Sequence, residues 1–266
     1  MQPTSSTRTV LITGASGNLG RKLRLHFTAL GWHLRLLDRR RKGDDVVTIA
    51  NLAHDDESWM QHFVGVDAVV HLAADASPDA GWNSIIPNNM DATRNVLRAA
   101  QRHGVRRMVF ASSNWVMAGY QFERMRLTAD LPPRPAHPYG VSKLFGEQMG
   151  AYAAQQGLSF IALRIGYCQH REGNRPGPHM EYGSWGQLMW LSDRDMCQGM
   201  ERAVLAEGVD YAVLNLVSDN PGMPWDIGET RRVIGYTPQD GAAAVVTFRV
   251  RHQDTSAEKR YRNDAC

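Results

Sequence analysis

A short apolar run near the start of the chain leads directly into a glycine-rich turn, and this junction constrains the fold most. The run is Thr9–Thr13, and glycines follow at positions 14, 17 and 20 before a helix-like stretch that reaches residue 30. Free backbone N–H groups and the dipole at a helix amino-terminus hold a phosphate well, provided that no Cβ blocks its approach. Glycine-rich turns also serve simply as turns, but this one has the strand before it and the helix after it that a phosphate-binding turn requires.

Further apolar runs recur along the chain with helical stretches between them. Predicted strands cover residues 33–37, 46–50, 67–73, 106–111, 157–165 and 211–217, and a helix is predicted over 91–103. Strands that alternate with helices form parallel sheets with right-handed crossovers. We therefore predict an α/β fold, a doubly wound parallel sheet of the Rossmann type with about seven strands and a small carboxyl-terminal substrate lobe.

An acidic residue closes the predicted second strand. Asp38 stands about where an acid meets the adenosine ribose hydroxyls of a dinucleotide, which favours NAD as the cofactor. Arginines follow at once, at positions 39, 40 and 41. An arginine there can instead hold the extra phosphate of NADP, or belong to a solvated loop, so NADP remains the alternative.

Charge and cysteine content exclude several classes of protein. The formal net charge is only +3, and the Lys and Arg residues are spread along the chain apart from the basic run at 39–42, so a nucleic-acid partner is not indicated. The cysteines at positions 168, 197 and 266 show no metal-ligand spacing, which argues against zinc and disulfides and predicts a reduced, cytoplasmic setting. The first eight residues lack a signal-peptide pattern, and no run approaches the ~20 apolar residues of a membrane span.

A tyrosine and a lysine lie four residues apart at the start of a probable helix. Tyr139 and Lys143 follow a proline-rich loop, and their spacing places both side chains on one helical face. A phenol normally titrates near pH ~10, so it acts as a base at neutral pH only if a neighbour such as an ammonium lowers its pKa. Such pairs also occur on ordinary helix surfaces. Ser113, at the end of the predicted fifth strand, lies where open α/β sheets bind their ligands, although serines there also form turns.

Taken together, these features resemble the extended short-chain dehydrogenase/reductase superfamily over about the first 165 residues. The match also includes the strand end at residues 71–74 and Asn89. Within the superfamily, four runs look most like uronate dehydrogenases and related sugar dehydrogenases: FASSN at 110–114, YGVSKLFGE at 139–147, RIG at 164–166 and LSDRD at 191–195. Those enzymes oxidise C1 of a hexuronic acid with NAD to give an aldarolactone.

The resemblance implies a role for each matching residue. Ser113 would hydrogen-bond the reacting oxygen, Tyr139 would transfer its proton, and Lys143 would bind the nicotinamide ribose and depress the pKa of the tyrosine. The implied cofactor-binding residues are Gly14, Ser16, Gly17, Asn18, Leu19, Gly20, Asp38, Arg39, Asn51, Leu52, Leu72, Ala73, Ala74, Asn89, Tyr139, Lys143 and Ile165. The implied substrate-binding residues are Ser113, Asn114, Trp115, Tyr139, Tyr167 and Arg175, and no metal is expected.

The sequence departs from the uronate dehydrogenases where the sugar is expected to bind. Trp115 stands where a histidine is common, and Tyr167 stands where a small residue is common. The segment between Tyr167 and residue 190 is several residues longer and lacks periodicity, which predicts a long loop acting as a substrate lid. Arg171 and Arg175 are its candidates for an anionic group, with Arg175 preferred, although a solvated loop can simply contain arginines.

We therefore predict an NAD-dependent sugar dehydrogenase that oxidises C1 of a hexuronic acid or related aldose to the lactone. The alternatives are a dehydrogenase of a sulfonated or phosphorylated aldose, a nucleotide-sugar epimerase or dehydratase, and a non-catalytic dinucleotide-sensing regulator. We expect one domain over residues 1–251, with the NAD-binding core at 1–165 and mainly substrate lobe, lid loop and last strand at 166–251, and then a charged tail at 252–266. A homo-oligomer without membrane partners is expected by analogy with relatives.

Overall fold

A parallel sheet of seven strands forms the centre of the protein. The structure is a computed structural model that describes residues 7–170 and 172–245. The spatial order is β3-β2-β1-β4-β5-β6-β7. Strands β2 and β3 are added on one side of β1 and the remaining four on its other side, so the strand order switches between β1 and β4. The strands are β1 Thr9–Thr13, β2 His33–Asp38, β3 Thr48–Ile49, β4 Ala68–His71, β5 Arg107–Ser113, β6 Ser159–Ile165 and β7 Tyr211–Leu216. The predicted doubly wound parallel fold is confirmed.

Helices connect the strands. The α-helices are α1 Asn18–Ala29, α2 Glu57–Met60, α3 Trp82–Ile85, α4 Ala92–Arg102, α5 Pro138–Gln155, α6 Gly183–Leu188, α7 Asp193–Leu205 and α8 Gly228–Ile234. A π-helical turn at Ile86–Asp91 joins α3 to α4, and short 3₁₀ helices cover Gln61–Phe63, Asn114–Tyr120 and Glu172–Asn174. No helix in the described part of the chain has both the length and the apolar character needed to cross a membrane.

Burial on both faces of the sheet explains why the central strands are continuously apolar in sequence. Along β1, Val10 and Ile12 pack into one hydrophobic cluster, whereas Leu11 packs into the cluster on the other face. Every residue of β4 and β5 is buried. A parallel sheet covered by helices on both sides has no solvent face, so its strands do not alternate between polar and apolar residues.

The structure corrects several predicted boundaries. The third strand is only Thr48–Ile49, because β3 lies at the sheet edge and, among the described strands, pairs with β2 alone. The helix expected at 91–103 is preceded by α3 and by the π-helical turn. The segment 167–190 is not a plain loop, since it contains α6 and a bridge between its two end residues. The predicted tail at 252–266 lies outside the described residues.

Candidate active site

A cavity of about 630 Å³ lies at the carboxyl ends of the central strands, where open α/β sheets bind their ligands. Its lining comes from the ends of β1, β2, β4, β5 and β6 and from the segments that follow them. We call the part around the glycine turn, Asp38 and Asn51 the turn region. The part formed by Asn114, Trp115, Tyr167, Glu181 and Tyr182 is the aromatic region.

Close packing shapes the glycine turn of the turn region. A Cβ on Gly20 would lie 2.3 Å from the Gly14 carbonyl oxygen, and one on Gly14, which has φ +72°, would lie 2.8 Å from the Ala73 nitrogen. Within the described part of the chain, no side chain caps the amino-terminus of α1. The Ser16 hydroxyl is buried and has no hydrogen-bond partner among the described residues. The amino-terminus of α1 therefore offers backbone N–H groups to an anion, which fits the pyrophosphate of a dinucleotide.

Asp38 is held by backbone groups at the end of β2. Its carboxylate accepts hydrogen bonds from the N–H groups of Ser16 at 2.9 Å and Arg40 at 3.1 Å. Cationic side chains lie beside it, since Arg39 donates to the Asn88 amide oxygen at 2.8 Å and Lys42 donates to the Ser16 carbonyl at 3.3 Å. The turn region thus combines an acid suited to ribose hydroxyls with cations suited to an additional phosphate.

Most of the predicted cofactor residues line the cavity. The lining contains Gly14, Gly17, Asn18, Leu19, Gly20, Asp38, Arg39, Asn51, Leu52, Leu72, Ala73, Ala74, Tyr139, Lys143 and Ile165. It also contains Arg40, one of the arginines expected to suit the extra phosphate of NADP, and three residues that were not predicted, namely Lys42, Asp75 and Asn88. For Lys42 a signal was present, because it belongs to the basic run at 39–42.

Ser16 and Asn89 were also expected to bind the cofactor, but neither lines the cavity. The Ser16 side chain is buried in the glycine turn, as described above. The buried Asn89 amide donates to the Asp75 carbonyl and to the Ser142 hydroxyl, both at 3.0 Å, and accepts from the Asp75 N–H at 2.8 Å. Asn89 therefore ties the loop after β4 to α5. Its neighbour in the π-helical turn, Asn88, lines the cavity.

The three predicted catalytic residues come together at the junction of β5 and α5. Ser113 ends β5, and its side chain hydrogen-bonds the Tyr139 phenol. The Lys143 ammonium lies 5.5 Å from the centre of the Tyr139 ring. His137 caps α5 by accepting the Gly140 N–H at Nδ1 over 3.2 Å, which fixes the turn that carries Tyr139.

Burial dominates the acid–base properties of this group. It raises the pKa of Tyr139 to about 12; the hydrogen bond from Ser113 acts in the opposite direction, and the charge of Asp75 raises the pKa further. Burial also lowers the pKa of Lys143 to about 7. Desolvation therefore outweighs the hydrogen bond from Ser113 in setting the pKa of Tyr139, and the expectation that Lys143 depresses this pKa stays a prediction.

The aromatic region brings together three segments that are far apart in sequence. The Trp115 ring contacts Tyr182 edge-on with centroids 4.7 Å apart, and Tyr182 lies 6.4 Å from Tyr167. Asn114 is 1% exposed, and neither atom of its amide has a hydrogen-bond partner among the described residues. A buried amide without partners is costly unless a ligand satisfies it, so this side chain is suited to a polar ligand group.

The anion-binding role expected for Arg175 stays a prediction, and the cavity lining gives it no support. Arg175 is exposed and does not line the cavity. The preceding residue, Asn174, is buried and donates to the Leu191 carbonyl at 2.8 Å and to Asp193 at 2.7 Å, and this anchoring turns the chain away from the cavity. Arg171 lies outside the described residues. Glu181, a residue that the sequence reasoning missed, lines the cavity instead, and the aperiodic segment around it gave no signal of its position.

Known proteins share this architecture. Residues 10–179 match the family described as NAD dependent epimerase/dehydratase family. The chain belongs to this family. Its relatives include the L-arabinose 1-dehydrogenase (NAD(P)(+)) of Haloferax volcanii, 37% identical over 89% of this chain and 98% of that protein. The uronate dehydrogenase of Pseudomonas syringae pv. tomato is 32% identical over 88% of this chain and 82% of that protein.

Solved structures of the family agree with the fold. The structure of uronate dehydrogenase from Agrobacterium tumefaciens, a Y136A mutant complexed with NAD, has a TM-score of 0.76 and 30% identity, and the match covers 89% of this chain and 86% of that chain. The predicted resemblance to the epimerase/dehydratase type of short-chain dehydrogenase, with uronate dehydrogenases and other sugar dehydrogenases among its relatives, is confirmed.

Proposed function

We propose that the protein is an NAD-dependent dehydrogenase that oxidises C1 of an aldose or hexuronic acid to the lactone. The observation that carries this proposal is the convergence of Ser113, Tyr139 and Lys143 in the same cavity as the glycine turn. Beside them lies the Asn114 amide, for which the described residues provide no hydrogen-bond partner. A proton-transfer group, a hydroxyl-binding group and a dinucleotide cradle are the three parts that alcohol oxidation by a nicotinamide cofactor needs.

The cavity lining fits NAD. The glycine turn would hold the pyrophosphate, Asp38 the adenosine ribose, and Asn51 with Leu52 the adenine, while Lys143 would hold the nicotinamide ribose. Bound NAD supplies the hydride acceptor. The cations beside Asp38 support NADP as an alternative cofactor, and the Haloferax volcanii relative is named for both cofactors.

The chain's own contribution to the reaction is to hold the sugar hydroxyl and remove its proton. Ser113 donates to or accepts from the reacting oxygen, and Tyr139 takes the proton as a phenolate. The pKa of Tyr139 is raised and that of Lys143 is lowered for the same reason, because burial disfavours the charged form of each group. A phenolate and an ammonium present together stabilise each other, so the buried pair carries its two charges more readily than either group carries one alone.

The aromatic region suits the rest of a sugar. A hydroxyl donates and accepts hydrogen bonds, as does the Asn114 amide, so the two satisfy each other. The rings of Trp115, Tyr167 and Tyr182 present apolar surface to the C–H groups of a pyranose. An acidic sugar such as a phosphorylated aldose is the second candidate, favoured by the NAD-dependent glucose-6-phosphate dehydrogenase of Haloferax volcanii, 35% identical over 88% of this chain and 94% of that protein.

The test is a spectrophotometric screen at 340 nm with NAD and NADP separately, against neutral aldoses, uronic acids and sugar phosphates. We expect net accumulation of reduced cofactor with at least one free sugar and a lactone as the product by NMR. A nucleotide-sugar epimerase would instead interconvert its substrate without net accumulation. Absence of absorbance with every free sugar contradicts the proposal.

A further inference from the structure

The aromatic region contains a carboxylate, which would repel the negative charge of an acidic sugar. Glu181 lines the cavity together with Tyr167 and Tyr182. We propose that Glu181 and the surrounding rings make the enzyme selective for an uncharged aldose over a hexuronate or a sugar phosphate. This inference rests on the proposed sugar dehydrogenase function and specifies its substrate class.

Packing and hydrogen bonds fix the position of Glu181. A Cβ added to Gly186 would lie 1.9 Å from the Glu181 carbonyl oxygen, so the backbone at residue 181 lies directly against α6. Glu181 also hydrogen-bonds Tyr167 through both its side chain and its backbone. Burial raises the pKa of Tyr167, and the charge of Glu181 raises it further, which places the carboxylate close to the phenol.

The other charges of the lining lie elsewhere in the cavity. Arg39, Arg40 and Lys42 belong to the turn region around Asp38, where they suit the cofactor. The described cation nearest the reacting group is Lys143, which lies beside Tyr139. Burial, and after it the charge of Lys22, lowers the pKa of His170, which also lines the cavity. Asp75, an acid of the loop after β4, also lines the cavity, and its charge acts on Tyr139. Among the described residues, Glu181 is therefore the charged group of the aromatic region itself, and Asp75 adds to its repulsion of an anion.

Charge and shape both favour a neutral sugar. The Glu181 carboxylate can accept hydrogen bonds from sugar hydroxyls, but it repels a carboxylate or phosphate at close range. In a partly exposed site this repulsion lowers the affinity for the anionic sugar by about tenfold. The Trp115 and Tyr182 rings meet edge to face at 4.7 Å and occupy space beside Asn114. The hydrogen-bond donors of this region, which are the Asn114 amide, the Trp115 indole and the tyrosine hydroxyls, are all neutral, so none of them supplies the positive charge that would balance a desolvated anion.

The experiment compares matched sugars that differ in charge. We measure kcat/KM for galactose against galacturonate and for glucose against glucuronate and glucose 6-phosphate, in the wild type and in Glu181→Gln. The substitution keeps the shape of the side chain and removes its charge. We expect the wild type to favour the neutral member of each pair, and Glu181→Gln to lower the neutral-to-anionic ratio by about tenfold. Glu207→Gln, which removes an exposed acid outside the cavity, is the control and leaves the ratio unchanged.

Two outcomes overturn the inference. One is a wild-type enzyme with a higher kcat/KM for the anionic sugar. If Arg171→Gln then abolishes this preference, anion binding is assigned to that arginine. The other is an unchanged ratio in Glu181→Gln with NAD binding intact by fluorescence titration. Both leave the dehydrogenase function standing. Failure of every sugar to reduce the cofactor would instead contradict the proposed function itself.

Discussion

In the turn region of the cavity the backbone itself forms the wall, whereas in the aromatic region side chains form it. Gly14 and Gly20 pack so closely that a single methyl group would collide with neighbouring backbone, and Asp38 is held by backbone N–H groups. Trp115 and Glu181 come from distant segments that meet only in the folded chain. We therefore expect substitutions in the turn region to disturb the fold, and substitutions in the aromatic region to alter the sugar specificity with less effect on the fold.

The largest expected effect is at the residue that lies between the two regions. Tyr139→Phe removes the proton acceptor and leaves the ring, so turnover should fall by about 10³-fold. Cofactor affinity should stay within about threefold, because the turn region is untouched. Turnover is followed at 340 nm and NAD binding by fluorescence titration. A Phe variant with more than a tenth of wild-type activity would remove Tyr139 from the reaction.

The next effect concerns stability and the charge of Lys143. Its pKa falls from 10.5 to about 7 on burial, so the unfolded chain binds this proton more tightly than the folded protein. Stability is therefore lost as the pH falls from 10.5 towards 7, by up to about 4 kcal/mol. Lys143→Met should be more stable than the wild type at pH 7, with the difference shrinking towards pH 10 in denaturant unfolding. Parallel pH profiles would show that burial does not shift this lysine.

Gly20→Ala probes the backbone wall. The added Cβ would lie 2.3 Å from the Gly14 carbonyl oxygen, so α1 must shift. We expect unfolding free energy to fall by about 2 kcal/mol and NAD affinity to weaken by about tenfold. Gly81→Ala, where the Cβ meets open space, is the matched control and should change stability by less than about 1 kcal/mol. Equal effects of the two substitutions would mean that the turn is not closely packed in solution.

Asn114→Ala probes the wall formed by side chains and has the smallest expected effect. Its amide has no partner among the described residues, so its removal costs no protein hydrogen bond, and stability should change by less than about 1 kcal/mol. The kcat/KM for the sugar should fall about tenfold. Steady-state kinetics and thermal unfolding measure the two effects. Lost stability with unchanged kinetics would assign Asn114 to the fold.

The same contrast explains which parts of the fold the sequence predicts. Strands buried on both faces, such as β5 and β6, give continuous apolar runs that are recognisable without a structure. The edge strand β3 is shorter than its apolar run, because only one neighbour pairs with it. The π-helical turn at Ile86–Asp91 is not predicted, since one extra residue in a helical turn leaves no distinct periodicity.

The site shows a similar division. The spacing of Tyr139 and Lys143 on one helix, and the place of Ser113 at a strand end, follow from local geometry and put these residues in the cavity lining. The positions of Asn89 and Arg175 depend on which way a side chain faces, which tertiary contacts decide. Glu181 could not be selected, because the segment that carries it has no periodicity and its contact with Tyr167 exists only in the folded chain.

The most direct test of the proposed reaction traces the hydrogen at C1. An aldose with deuterium at C1 is incubated with the enzyme and NAD, and the reduced cofactor and the sugar product are analysed by NMR and mass spectrometry. Direct oxidation at C1 predicts one deuterium on each reduced nicotinamide, none in the lactone, and loss of both products in Tyr139→Phe. Unlabelled NADH, or an epimerised sugar without net NADH, would contradict it.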